Sequence, residues 1–318
     1  MIGTTTATAH VPTQAAAGPP PAAAETPAIR TLKWMDVIDA APQFRREARM
    51  LGELRALRRS GLLDEPPTNA GDGLAVLLVP GLLAPDRSLR LLAVYLKRHG
   101  FRPRRAGIAS NVDCSEREAK RLEKRLERAQ AESGRRVAIV GQSRGGVFGR
   151  ALAVRRPDLV CAVVGLGSPL VDPLTNIHPL LHLQLELLAL MGDRKVPRLA
   201  SHACLDAELI EQLSQTTDQG RIARVLVKRL ASREPGDCCT QFWRDLKAPF
   251  PDDVAYLSIW SRLDGIVNPR ACHDPAARLL EVRSSHCGMA FNRHVFRAVL
   301  AELTAVAAPE RSAQRLAA

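Results

Sequence analysis

Ser143 stands in Gly141-Gln142-Ser143-Arg144-Gly145-Gly146, between the apolar run Val137-Ala138-Ile139-Val140 and a stretch, 147–155, that reads as a helix. A serine hydroxyl is a weak nucleophile. To attack an acyl carbon it needs exposure on a tight turn, a histidine to take its proton and an acid to orient that histidine. The turn is present: Gly141 and Gly145 let the backbone bend without side-chain clashes, and the following helix offers backbone N–H groups where an oxyanion would develop. Five residues of this pattern are weak alone. The strand before and the helix after supply the context, and a purely structural glycine turn is the competing reading.

Other reactive side chains point to less. His178 and His182 stand four apart on a helical stretch, but they lack the intervening glutamate of a zinc protease and a third ligand. The seven cysteines, an odd number without zinc-type spacing, read as mostly free, buried thiols of a reducing compartment. Cys272 and Cys287 bracket a short segment that a bridge would pin; with no basic start and apolar run at the N-terminus, the reduced state is expected. No metal and no cofactor is expected.

These residues must be held by a scaffold, and the hydrophobic pattern describes one. Residues 74–79, 137–140, 160–166 and 254–260 are short apolar runs, polar on neither face, which predicts strands of a parallel sheet covered on both sides. Ser115-Glu116-Arg117-Glu118 has the spacing of a capping box and opens a charged helix to about residue 132, with Ala119, Leu122 and Leu126 inward. Alternation of this kind predicts an α/β fold with a doubly wound, mostly parallel sheet. It stops between 169 and 253, where only helical patterns occur, so an inserted helical cap is expected there. The resulting organisation is a disordered tail (1–30), an N-terminal helical extension (31–73), a core (74–168 and 254–305), the cap (169–253) and a flexible C-terminal tail (306–318). Within the cap, 179–191 is apolar nearly all round, broken by His182, Gln184 and Glu186; such a helix is buried or faces something greasy.

The segment around Ser143 resembles the nucleophile elbow of the α/β-hydrolase superfamily, in particular its lipase and carboxylesterase (triacylglycerol lipase-like) group, and the resemblance spans 74–303. By that resemblance Val79-Pro80-Gly81-Leu82 is the oxyanion turn after the first strand, and the backbone amides of Leu82 and Arg144 are the two oxyanion donors. The superfamily order, serine then acid then histidine at strand ends, selects Asp264 in Ser261-Arg262-Leu263-Asp264-Gly265 and His286 in Ser284-Ser285-His286-Cys287-Gly288. Asp172, after an earlier strand, is the rival acid; His294 falls inside the last helix and reads as a surface or packing residue. Arg144 departs from the commoner elbow, where Met, Leu or His is usual. Its guanidinium either pairs with a carboxylate or meets an acidic group on the substrate.

The expectation is a serine carboxylic ester hydrolase, an esterase or lipase, working through an acyl-enzyme. Acyl transfer from the same acyl-enzyme, or a non-catalytic scaffold, is the alternative. Leu83 and the cap leucines Leu180, Leu181, Leu183, Leu187 and Leu188 are candidate contacts for an apolar acyl chain, unless they only fasten the cap to the core.

Of 318 residues, 46% are hydrophobic and 25% charged, which excludes wholesale disorder. The formal charge of +12 predicts attraction to acidic partners. Nucleic acid is the poorest fit, since the basic residues are dispersed and aromatics are only 4%. Residues 42–59 place Phe44, Ala48, Leu51, Leu54 and Leu57 at helical spacing among arginines. Two readings stay open for this helix, peripheral contact with an anionic membrane or docking on the main domain. No run of roughly 18 apolar residues marks a membrane span. The expected setting is cytoplasmic, with a small-molecule or lipid ester as the partner.

Overall fold

The apolar runs expected as strands pair with one another at the centre of a six-stranded sheet. The computed structural model describes residues 45–171, 173, 179–205 and 236–317. The tail 1–30, Asp172, His178 and residues 206–235 of the expected cap lie outside them. Strands β1 (Ala75–Val79), β2 (Arg102–Arg105), β3 (Val137–Gln142), β4 (Val160–Leu166), β5 (Ala255–Trp260) and β6 (Arg278–Glu281) lie in the order β2-β1-β3-β4-β5-β6, each neighbouring pair parallel. Every residue of β1, β3 and β4 is buried, hence the absence of polar alternation in their sequences.

Among the described residues the α-helices are α1 (Arg49–Arg59), α2 (Arg90–Arg98), α3 (Ser115–Ser133), α4 (Arg144–Arg155), α5 (Pro179–Asp193), α6 (Thr240–Lys247) and α7 (Arg293–Ala317). On one face Leu122 and Leu126 of α3, Phe148 of α4 and Phe242 of α6 pack with Leu77 and Ile139. On the other, Leu57 of α1, Leu92 of α2 and Phe296 of α7 pack with Val76 and Val140. This is the doubly wound parallel sheet expected from the sequence. The chain leaves β1 to form β2 on one side and returns to form β3 on the other. Such a reversal opens a crevice at the carboxyl ends of the two strands, where ligands bind in sheets of this kind.

One strand carries no signal in the sequence, and three expectations need correction. Strand β2, Arg-Pro-Arg-Arg, has no apolar signal because it is an edge strand, where proline and charge are tolerated and discourage further pairing. The capping box does not form: the cap residue of α3 is Cys114, Ser115 Oγ accepts from Arg144 Nη2 at 3.1 Å, and Glu118 pairs with Arg121. The C-terminal tail is helical, since α7 runs to Ala317; Ala307 is fully buried and its carbonyl accepts from Arg135 Nη2 at 3.1 Å. Val295, Val299, Leu303 and Ala307 share one face of α7 and carry the helix past residue 305. Finally, the N-terminal helix does not dock by an apolar stripe. Among residues 45–59 only Leu57 is buried, and Leu51 is 56% exposed.

Between β4 and β5 the described residues contain helices and no strand. The second of these helices, α6, is part of the main core: Phe242 meets Phe148 with ring centroids 5.3 Å apart. Among the described residues no helix is long and apolar enough to cross a membrane.

Candidate active site

At the end of β3 the chain turns through Ser143 with φ 51° and ψ −122°, a strained conformation for a residue with a side chain. Its N–H donates to the Leu166 carbonyl of β4 at 2.8 Å, and its own carbonyl accepts from Gly146 at 2.9 Å to start α4. The turn is too tight for side chains beside it. A Cβ on Gly141 would lie 2.2 Å from the Gly145 carbonyl carbon, and one on Gly145 2.1 Å from the Val79 oxygen. The pattern read from the sequence therefore has a steric cause.

The loop after β1 runs alongside: a Cβ on Gly81 would approach the Ser143 Cβ to 3.3 Å. Leu82 bridges to Asn111, and the Leu83 amide donates to the Asn111 carbonyl at 3.4 Å. Among the described residues the amides of Leu82 and Arg144 donate to no backbone acceptor, as first-turn geometry dictates for Arg144.

Asp264 and His286 are brought together. His286 Nδ1 and Asp264 Oδ2 lie 2.7 Å apart, both residues buried, while Asp264 Oδ1 accepts from the amides of Ile266 and Val267 at 2.8 Å each. With Nδ1–H given to the carboxylate, Nε2 is left as the proton acceptor. Gln142, beside the serine, donates from Nε2 to the His286 carbonyl at 3.2 Å, which ties the histidine loop to the elbow. Among the described residues Ser143 Oγ makes no hydrogen bond, to His286 included; catalytic contacts of this type commonly tighten only around substrate. Burial works to lower the pKa of His286, but the charge and hydrogen bond of Asp264, with the charge of Glu47, outweigh it and hold the imidazole above its ordinary 6.5.

Glu47 was not foreseen. Its carboxylate accepts from the amides of Gly265 (3.0 Å), His286 (2.9 Å) and Cys287 (2.8 Å), so one side chain spans the acid loop and the base loop. Glu53 adds a second clasp, accepting from the Ser285 amide at 2.8 Å and Ser284 Oγ at 2.9 Å. Gly288 leaves the space this needs, since a Cβ there would sit 1.5 Å from Glu53 Oε2. The N-terminal helix docks on the main domain through these two glutamates together with the buried Leu57. The only sequence signal was two acids in a run of arginines.

Arg144 departs from the first reading offered for it, since among the described residues it pairs with no carboxylate. Its four acceptors are the Asn111 carbonyl (2.9 Å) and Oδ1 (3.1 Å), the Asp113 carbonyl (2.6 Å) and Ser115 Oγ (3.1 Å), none of them a carboxylate. The guanidinium also lies over the Phe148 ring, 5.0 Å from its centroid. Burial lowers its pKa, opposed by the Glu118 charge. Asn111 in turn donates from Nδ2 to the Pro80 carbonyl at 2.7 Å. Arg144 and Asn111 together brace the serine turn against the loop after β1.

A cavity of about 140 Å³ opens beside Ser143, Leu82 and Arg144, walled by Leu181, Leu185, Leu188 and Trp243. Of the leucines expected from sequence as substrate contacts, Leu181 and Leu188 line this cavity. Leu187 is 53% and Leu83 43% exposed, Leu83 at φ 62°, while the side chains of Leu180 and Leu183 fall outside the described residues. On a helix apolar all round, periodicity does not choose a face. Residues 181, 185 and 188 share the inner one, and 187 is turned away from it. His294 is exposed at the start of α7, and the thiols of Cys272 and Cys287 are free.

No protein-family model matches the chain, and no curated protein does. Among solved structures, the chain is similar to the mature form of lipase BlEst2 from Bacillus licheniformis (14% identity over 75% of this chain and 94% of that one, TM-score 0.47). Others are a monoacylglycerol lipase of Paleococcus ferrophilus (19%, 76% and 96%, TM-score 0.47) and the carboxylesterase CesB of Bacillus subtilis (14%, 80% and 98%, TM-score 0.43).

Proposed function

We propose that the protein is a serine hydrolase cleaving carboxylic esters with a compact apolar acyl group. The observation that carries this reading is the strained Ser143 turn sharing one sheet edge with a buried Asp264–His286 pair 2.7 Å apart. His286 Nε2 takes the Ser143 proton as Oγ attacks the ester carbonyl, and Asp264 stabilises the imidazolium. The amides of Leu82 and Arg144 hold the oxyanion. The tetrahedral intermediate collapses to the acyl-enzyme as His286 protonates the departing alcohol, and water then releases the acid. The cavity, at about 140 Å³, is close to the ~150 Å³ that accommodates benzene. An acyl group of about six carbons fits best on that scale.

A chain-length series of p-nitrophenyl esters tests this. Turnover should peak near the hexanoate, and Ser143→Ala should lower kcat by on the order of 10⁶-fold while the folded circular dichroism persists. A fluorophosphonate should label Ser143. Retained turnover in the folded variant, or failure of the wild-type protein to label, would overturn the assignment.

A further inference from the structure

Four cysteines from three separate stretches of the sequence, Cys114, Cys204 and the adjacent Cys238 and Cys239, place their sulfurs within 4.8 Å of one another. Their separations are 3.3 Å for Cys114–Cys239, 3.5 Å for Cys204–Cys238, 3.8 Å for Cys238–Cys239 and 3.9 Å for Cys114–Cys238. In a tetrahedral tetrathiolate zinc site, with Zn–S near 2.3 Å, the sulfurs stand about 3.8 Å apart. All four thiols are free, three are buried and Cys238 is exposed. A disulfide would draw one pair together to about 2.05 Å. The observed spacings cluster instead around the edge of one tetrahedron.

We propose that these cysteines form a closed structural zinc site. Each sulfur comes from a segment already fixed in place. Cys114 caps α3, and the Asp113 carboxylate accepts its amide at 2.7 Å. Residues 199–205 are held to the core by Arg117 Nη2 donating to the Leu199 carbonyl (3.1 Å), the Ala200 amide to the Val112 carbonyl (2.8 Å) and Trp243 Nε1 to the Cys204 carbonyl (3.0 Å). Cys238 and Cys239 lead into α6. The Gly236 amide donates to the Leu205 carbonyl at 2.7 Å, so the chain departs at 205 and returns at 236 beside the cluster.

Zinc would displace four thiol protons and leave a net charge of −2 on the ZnS₄ unit. The first turn of α3 contributes positive dipole there, and Arg117 and Arg144 lie within electrostatic reach of the sulfurs. With four protein ligands no position is open for substrate, so the role is structural. Clamping both roots of a long inserted segment removes loop-closure entropy from the unfolded chain. It also fixes a wall of the cavity, because Cys204 and Trp243 line it. Long, irregular spacing and the adjacent Cys238-Cys239 pair hid this cluster from a search for zinc-type motifs.

The test is metal content of the full-length protein, purified without chelator from zinc-supplemented cells. About one zinc per chain is expected, released as an organomercurial titrates the thiols. Cobalt reconstitution should give the charge-transfer and intense d–d bands of a tetrahedral tetrathiolate. Cys204→Ser with Cys239→Ser should abolish binding, while Cys161→Ser, a buried thiol elsewhere, keeps the full equivalent. If the double variant does not fold, Cys238→Ser, which alters the exposed ligand, should weaken zinc affinity at least about 100-fold in a chelator competition. Overturning results are a wild-type chain that neither carries nor takes up zinc, zinc retained by the folded double variant, or an intact mass showing disulfides among these four cysteines.

Discussion

The two halves of the candidate site are held by opposite means. The nucleophile half is built from neighbours in sequence: Gly141, Ser143 and Gly145 form one turn, and clash distances near 2 Å leave the backbone no other course. The acid and base half is held from afar. Asp264 and His286 sit on separate loops, and the carboxylate that joins their backbones, Glu47, comes from more than two hundred residues earlier. Local sterics thus shape one half, and a charge delivered by the N-terminal helix shapes the other.

The sharpest way to break the local half is Gly145→Ala. Its Cβ would lie 2.1 Å from the Val79 oxygen, and backbone cannot swing aside as a flexible side chain does. We expect a stability loss of about 3 kcal/mol or more in urea unfolding, with ester turnover abolished. A variant with wild-type stability would show that the turn has slack.

Next in size is the remote half. Glu47→Ala leaves the amides of Gly265, His286 and Cys287 without their charged acceptor. Hydrogen bonds to charged groups contribute about 1.5–3 kcal/mol each before water replaces them, so a net loss of about 2 kcal/mol is expected, with kcat reduced more than KM. Glu47→Gln keeps the shape and removes the charge, and its effect lies in pH dependence. His286 must be neutral to accept the serine proton, so activity falls as pH drops through its pKa, here raised above 6.5. Removing the Glu47 charge should move the acid limb of kcat/KM to lower pH. The stability contribution has the opposite sense: a raised folded pKa stabilises below the unfolded pKa near 6.5, and that stabilisation is lost as pH rises through the folded value. An unmoved limb in Glu47→Gln would mean that Glu47 only supports the loops.

How far each half was legible in the sequence follows the same division. The turn, its strand and its helix could be read because short-range sterics and unbroken apolar runs are printed in consecutive residues. The clasp of Glu47 and Glu53 could not, since a glutamate in a basic helix carries no mark of the amides it will meet. The strut from Arg144 to Asn111 was half visible. Arg144 stood out as unusual, but two of its four acceptors are backbone carbonyls, which have no sequence identity, and the other two are neutral side chains some thirty residues away. Strand β2 and the inner face of α5 were missed for another reason: one has no hydrophobic signal, and the other has too much to show a period.

Asn111 bears on whether the local half is as self-sufficient as its glycines suggest. Its Nδ2 donates to the Pro80 carbonyl and its Oδ1 accepts from Arg144. Asn111→Asp preserves the contact to Arg144 but sets a carboxylate oxygen against the Pro80 carbonyl. That should push the oxyanion loop away and lower kcat by about 10–100-fold, within the range for losing part of an oxyanion hole, with KM little changed. An equal rise in KM would place the effect in the cavity wall instead.

The smallest expected effect concerns the cavity itself. Leu185→Ala enlarges it, whereas Leu187→Ala, on the outward face of the same helix, should change nothing there. Removing a methine and two methyl groups from a wall contact costs about 1–3 kcal/mol of discrimination per carbon at most, and less where the chain of the substrate can fill the space. Accordingly Leu185→Ala should shift the preferred p-nitrophenyl ester toward longer acyl chains by two or so carbons, with kcat/KM for the hexanoate falling about tenfold. Leu187→Ala should keep the wild-type profile. A shift in both variants would mean that α5 moves as a unit over the cavity, and a shift in neither would put the acyl chain on the other wall, against Trp243.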